Sequence, residues 1–462
     1  MSLFNADSLL PQAYAAQSAK DFARAAKLYE QVIAIAPHRP EAYINLGLIR
    51  QNAGALDEAE RLYRRAIKLA PKMAIPYLNL GVVHVKRGEE DAALANFQQA
   101  LKLEPNRTDA LLNLAGVYER LGRLPEAARA LDRLVELAPT DVTANMGRAN
   151  VLFMIGRWTD AWTSYQRRHG IFWGAGRKLP GQPWRGEDIA GKTVLLSFEQ
   201  GLGEQIMFAS WVPEIARAAK HLIIECEARL VALFQRSFPG VEIVPWSADW
   251  HPRVRASEID FQAALGDPGL WLRGSFAAFP AHEGYLKPDP AQVAAHRTRY
   301  QDLAKGRRIA GLAWHSAALP FGPQKSVPKE ALAPLLARED IFWINLQHGP
   351  ARGEVGAPLW TDSTIDPAGD FDPLAAQIKA LDVVVSASNG TAHLAAALGR
   401  PTLLALPKVI GRHWYWFPER ESNPWYPAAR PFVQEREGSW DGVMERIAAA
   451  LSPPASVIDR AP

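Results

Sequence analysis

Proline recurs every 34 residues, at Pro37, Pro71, Pro105 and Pro139. Gly54, Gly88, Gly122 and Gly156 keep the same interval, and so do Ala59, Ala93, Ala127 and Ala161. A bulky series, Tyr29, Tyr63, Phe97, Leu131 and Tyr165, follows it too. Gly47 and Gly81 recur once and give way to Ala115 and Ala149 in the later copies. Markers locked in phase at this period define a unit of two helices. Small residues sit where the helices cross closely, a large side chain fills the groove, and proline ends the second helix. One such unit cannot bury its own apolar face, so copies must stack. Four full copies run over 6–39, 40–73, 74–107 and 108–141, and a degenerate fifth reaches about 169. The first copy lacks the crossing glycine, and Arg148 and Arg168 interrupt the fifth.

The pattern resembles the tetratricopeptide repeat, which stacks into a superhelix with a concave face. Asn45, Asn79 and Asn113 recur at the same period on the first helix of their pairs. In proteins of that kind this face commonly holds an extended peptide, and asparagine carboxamides can pair with its backbone. A ladder that bonds neighbouring helices or water is the other reading. Residues 1–169 are therefore expected to be a protein-docking array.

The full 462 residues leave room for about two further domains. An apolar content of 48% with 22% charged residues describes a globular chain with ample core. A net charge of +3 is too small to argue for nucleic acid. The single Cys226 rules out an internal disulfide and a cysteine-based zinc cage. The opening residues lack a basic segment followed by an apolar one, and no run of about 18 apolar residues occurs. A cytoplasmic protein with no membrane partner is the expectation.

Residues 170–191, rich in Gly, Pro and Trp, read as a linker. Beyond them strands and helices alternate, the pattern of parallel α/β sheets. Strands are expected at 192–198, 221–226, 241–246 and 259–264, then at 307–314, 341–346, 382–385 and 402–406. Helices are expected at 206–219, 228–236, 290–305, 328–337, 371–381, 391–398 and 440–451. Two lobes follow, 192–300 and 301–451, with a cleft between them and a tail at 452–462.

The stretch from Asp382 to Leu406 is the clearest unit. A valine strand enters Ser386-Ala-Ser-Asn-Gly390, an alanine-rich helix follows, Gly399 sits where a left-handed cap belongs, and Pro401 blocks continuation. A turn at a strand's carboxyl end and a helix's amino end favours a phosphate. The dipole contributes only about 0.3–1 kcal/mol, so cationic and hydroxyl groups must assist. Lys325 and Ser326, in the loop after the 307–314 strand, can supply them, although a solvated loop lysine reads the same. The turn Glu199-Gln-Gly-Leu-Gly-Glu204 carries Gly201 and Gly203 without the spacing of a dinucleotide fingerprint. By itself it reads as a tight strand-to-helix turn with Glu204 as a favourable charge in the first helical turn. The rings of His413–Trp416 and Asn423–Pro427 can stack on a base or sugar, or pin the C-terminal segment.

Taken in order, Glu199–Glu204, Gly311-Leu-Ala-Trp314, Leu346-Gln347, Ser388-Asn-Gly-Thr-Ala-His-Leu-Ala396 and Trp425-Tyr-Pro427 resemble glycosyltransferase family 9, the heptosyltransferase-like enzymes. The likeness spans about 192–451. Bacterial proteins that join such a domain to tetratricopeptide repeats include flagellin glycosyltransferases. The resemblance implies a GT-B fold, with two Rossmann-like lobes, the acceptor on the first and the nucleotide-sugar on the second. It implies metal-independent, inverting transfer with no cofactor beyond the nucleotide-sugar, to Ser/Thr hydroxyls of a protein docked on the repeats. The family's general-base aspartate falls on Glu204, one methylene longer. Its Asp-Thr-Gly turn falls on Ser388-Asn389-Gly390, which removes a negative charge from the donor side. Thr391 and His393 continue that donor motif, and Lys325 falls near the phosphate-binding lysine. A scaffold with a degenerate transferase domain is the alternative that these two substitutions raise. An epimerase or hydrolase of nucleotide-sugars fits poorly with a docking array.

Overall fold

The computed structural model describes residues 6–169, 178–318, 321–420 and 422–452. Part of the expected linker, 170–177, and nearly all of the expected tail lie outside the described residues. Contacts group the chain into two compact units, Met1–Val151 and Leu152–Pro462.

The first unit is built of antiparallel helix pairs. They are α1 (Ala6–Ser18) with α2 (Phe22–Ile35), α3 (Pro40–Asn52) with α4 (Leu56–Leu69), α5 (Ala74–Arg87) with α6 (Glu90–Leu103), and α7 (Thr108–Arg120) with α8 (Leu124–Leu137). Helix α9 (Val142–Met154) begins in this unit, and α10 (Trp158–Tyr165) lies in the second. The markers do what their period requires. A Cβ on Gly47 would lie 2.6 Å from the Tyr63 ring, and one on Gly81 would lie 2.5 Å from Phe97. These two glycines are therefore the crossing points into which the ring of the partner helix fits. Ala59, Ala93 and Ala127 are fully buried beside them. Gly54, Gly88 and Gly122 have φ between +70° and +81°, the left-handed geometry that turns one helix into the next without a Cβ penalty.

The second unit holds two five-stranded parallel sheets. The first contains β1 (Gln182–Pro183), β2 (Thr193–Ser197), β3 (His221–Cys226), β4 (Glu242–Pro245) and β5 (Phe261–Ala264), in the order β1-β5-β2-β3-β4. The second contains β6 (Arg308–Ala313), β7 (Ile341–Asn345), β8 (Val383–Ala387), β9 (Thr402–Leu406) and β10 (Ala429–Val433), in the order β10-β9-β8-β6-β7. Strands β2, β8 and β9 are buried along their whole length, as expected for strands covered on both faces. In each sheet the direction of winding reverses once, between β2 and β5 and between β6 and β8. In parallel α/β sheets, ligands bind beyond the strand carboxyl ends at such reversals.

Several elements differ from the sequence expectation. The helix expected at 206–219 starts at Leu202 and breaks into Leu202–Phe208, a tight turn at 209–211 and Val212–Ala218. Pro213 explains the break, because it lacks the N–H that would bond back to Ala209. The helix expected at 328–337 is two short turns, with Pro334 near the start of the second. Strands β1 and β10 were hidden by Pro183 and Pro431. Both are edge strands, where a missing donor is tolerated. The aromatic motifs pack inside the protein: Trp414, Tyr415, Trp416, Trp425 and Tyr426 are all buried. Trp414 stacks on Phe153, with ring centroids 3.8 Å apart. No helix among the described residues is long and apolar enough to cross a membrane.

Candidate functional site

The two reversals carry the two turns singled out by sequence. Beyond β2 the chain turns through 198–201 into α11 (Leu202–Phe208), with Gly201 as its cap. Beyond β8 it turns through Ser388 and Asn389 into α12 (Gly390–Ala397). The first turns of α11 and α12 meet. A Cβ on Gly203 would lie 2.6 Å from His393 Cδ2, and one on Gly390 would lie 3.6 Å from Leu202 Cδ2. Glycine at 203 is what lets the two strand–turn–helix units approach this closely.

Glu204 sits half-buried in the first turn of α11. Loss of solvent raises its pKa above the ordinary carboxylate value. Its own backbone N–H, the charge of Lys325 and the Tyr415 hydroxyl oppose that rise without cancelling it. The Tyr415 hydroxyl lies 3.4 Å from Glu204 Oε1. Lys325 is buried, its Nζ 3.5 Å from His413 Nε2. Burial lowers the lysine pKa, and the charge of Glu204 partly restores it. His413 stacks on Tyr415 at 5.1 Å with the rings 9° from parallel. Desolvation among these rings, followed by the Lys325 charge, pulls its pKa down to about 3, so its imidazole is neutral at pH 7. His393 is buried, its Nδ1 2.8 Å from the Tyr426 hydroxyl, and desolvation holds its pKa well below the usual value. One glutamate carboxyl group, one lysine amine and two neutral imidazoles thus gather where the two sheets' strand ends converge.

The remaining donor-side candidates are committed within the protein. Asn389 caps α12: its Oδ1 accepts from the Ala392 N–H at 3.1 Å and from the Ser386 hydroxyl at 3.0 Å. Its Nδ2 donates to the His315 carbonyl at 3.1 Å, which ties the β8 turn to the loop after β6. Ser388 Oγ accepts from Trp416 Nε1 at 2.8 Å. Ser326 Oγ donates to the Gly322 carbonyl at 2.8 Å and accepts from the Ser316 N–H at 3.0 Å. Gln347, fully buried at the end of β7, accepts from the Trp314 and His315 N–H groups. Thr391 is buried on α12 and Gly390 half-buried at its start. In the repeats, Asn45 and Asn113 each donate Nδ2 to the carbonyl four residues earlier, at 2.8 and 2.7 Å. Asn79 is half-buried on the equivalent helix.

Sequence reasoning missed His413 and Tyr415 as site residues, because their rings read equally well as packing. It also missed Gln347 as the brace of the β6 loop, and the group at Arg168, Glu199 and Tyr165. Its members stood apart in the sequence, Tyr165 as a repeat marker, Arg168 as an interruption of the repeat and Glu199 as the start of a turn, with no pattern to join them.

Tetratricopeptide repeat models match residues 38–106, 78–142 and 125–174. The helices of this region are tetratricopeptide repeats. The chain is 33% identical to Protein FlbA of Caulobacter vibrioides over 300 residues, covering 59% of this chain and 48% of FlbA. It thus spans about half the length of that relative. A 59% share exceeds what residues 1–174 can provide, so the likeness extends beyond the repeats. Among solved structures, MamA is 21% identical over 36% of this chain and 90% of its own, with a TM-score of 0.33. YrrB, described as a tetratricopeptide protein with an unusual peptide-binding site, is 20% identical over 36% of this chain and 86% of its own, with a TM-score of 0.32.

Proposed function

We propose that the chain is a glycosyltransferase of GT-B arrangement. It moves a sugar from a nucleotide-sugar to a Ser/Thr hydroxyl of a protein docked on the repeats, a flagellin-type protein being one candidate. The observation that carries this reading is the convergence of Glu204 and Lys325 from opposite sheets at the two winding reversals. The acceptor oxygen attacks the anomeric carbon and forms the new C–O bond. Glu204 takes the hydroxyl proton, a step that contributes about 10²–10⁴-fold when the base is well placed. The bond from the anomeric carbon to the phosphate oxygen breaks, and the leaving nucleotide keeps the electron pair. Lys325 and the N–H groups at the start of α12 stabilise that charge in place, with no metal in the step. His393 lines the same corner. The repeats raise the local concentration of the acceptor segment.

The test is calorimetric titration with ADP, UDP, GDP and CMP, followed by nucleotide-sugars of the base that binds. Micromolar binding of one class, weakened by Lys325→Ala and kept by Glu204→Gln, supports the donor site. Turnover lowered by about 10²–10⁴-fold in Glu204→Gln supports the base. The acid limb of the rate profile is expected above the ordinary carboxylate range, because burial raises the Glu204 pKa. The second reading, a scaffold without turnover, draws on the internal bonds of Ser388, Ser326 and Asn389. Absence of binding by every nucleotide would favour it.

A further inference from the structure

We propose that Tyr165 and Arg168 are positioning residues for Glu204, acting through the turn that precedes α11. The inference rests on the reading of Glu204 as proton acceptor. Arg168 and Glu199 are both fully buried. Arg168 Nε donates to Glu199 Oε2 at 2.7 Å, and Nη2 donates to Oε1 at 2.5 Å. The same Nη2 reaches Asp267 Oδ1 at 2.9 Å, and Nη1 donates to the Tyr165 carbonyl at 3.1 Å. The Gly266 N–H, just past β5, closes on Glu199 Oε1 at 2.6 Å. Glu199 is thereby fixed on both oxygens. The next residue, Gln200, has φ +55°, a left-handed conformation that a non-glycine residue keeps only when its surroundings impose it. Those surroundings include the Tyr165 hydroxyl, 2.9 Å from Gln200 Oε1 and 2.8 Å from Nε2. Gly201 then caps α11, and Glu204 lies in its first turn.

Two residues of one helical segment thus hold two consecutive residues of the turn that aims the base. A strand-to-helix turn needs only glycine to be tight. A buried arginine–carboxylate pair is a poor way to gain stability, since desolvation offsets much of the attraction, but it fixes geometry firmly. Placement of a reacting group is where such geometry counts, because a misplacement of about 1 Å can cost about 10²-fold in rate.

The experiment compares wild type, Glu204→Gln, Tyr165→Phe and Gln200→Gly in the full chain. Tyr165→Phe keeps the ring and removes only the hydroxyl, while Gln200→Gly suits the positive φ and removes the amide. Each is measured for thermal midpoint, for nucleotide affinity by calorimetry, and for kcat, KM and pH profile. The rate read is nucleotide release from ADP-, UDP-, GDP- and CMP-sugars. Both turn variants are expected to hold their midpoint and nucleotide affinity while kcat falls about 10- to 100-fold and the acid limb moves. If the wild type releases no nucleotide, or Glu204→Gln matches it, the reading of Glu204 fails and takes this inference with it. If Glu204→Gln is slow while both turn variants keep wild-type kcat and pH profile, the positioning inference alone is overturned. A kcat loss that merely tracks a lowered midpoint overturns it as well.

Discussion

The turn after β2 and the turn after β8 begin alike: a buried strand, a short polar segment with glycine, and a helix whose first turn faces the other helix. They are held in opposite ways. The β8 turn closes on itself and its own sheet. Asn389 caps its helix, bonds Ser386 and reaches the loop after β6. The β2 turn has a bare glycine cap and, apart from the Gly266 N–H just past β5, is held from outside, by Arg168 and Tyr165 of a helical segment that precedes the sheet in sequence. A turn closed by local side chains is rigid wherever its strand and helix form. A turn held from a distance has the right shape only when the distant segment is in place. The glutamate belongs to the second kind.

Perturbing each turn in kind tests that contrast. The largest loss of stability is expected for Arg168→Gln, which leaves Glu199 buried and without its main partner. Breaking a buried pair from one side costs about 3–5 kcal/mol, readable by denaturant titration. A loss below about 1 kcal/mol would mean that the β2 turn is as self-sufficient as the β8 turn. Gly203→Ala comes next. Its methyl group would press on the His393 ring, and the strain of separating α11 from α12 is expected at about 1–3 kcal/mol. Asn389→Ala removes a helix cap and should cost about 0.5–2 kcal/mol, with α12 fraying first in hydrogen exchange. The last effect vanishes at neutral pH. His413 is neutral in the folded protein down to about pH 3. Between its ordinary pKa near 6.5 and about 3, the unfolded chain binds a proton that the folded chain does not. Stability should therefore fall as pH drops through that window, by up to ~1.4 kcal/mol per pH unit from this residue. His413→Phe should flatten the slope in acid denaturation curves, and an unchanged slope would show that the imidazole is not desolvated.

The repeats were legible almost to the residue, because a 34-residue period writes each packing constraint several times. Gly47 and Gly81 meet Tyr63 and Phe97 in the way the spacing demands. Eight of the ten described strands were legible as apolar runs, all but β1 and β10, and Gly399 as a cap with φ +70°. Of the β8 turn, the strand–turn–helix outline was legible, without the bonds from Asn389 and Trp416 that close it. The support of the β2 turn was not, because Arg168 meets Glu199 and Asp267 across separations of 31 and 99 residues that no local pattern records. The role of His413 and Tyr415 was hidden for another reason: a ring that packs and a ring that faces a carboxylate have the same sequence signature.

The sheet borders carry a consequence of their own. Three of the four outermost strands, β1, β4 and β10, include a proline, at Pro183, Pro245 and Pro431. The fourth, β7, is met along its outer side by Trp360, whose carbonyl accepts from the Asn345 N–H at 2.8 Å and whose N–H donates to the Trp343 carbonyl at 2.8 Å. An extended segment from another molecule therefore finds interrupted rows of donors at three borders and an occupied row at the fourth. Two wide parallel sheets can share one chain at high concentration without offering a template for strand-by-strand aggregation.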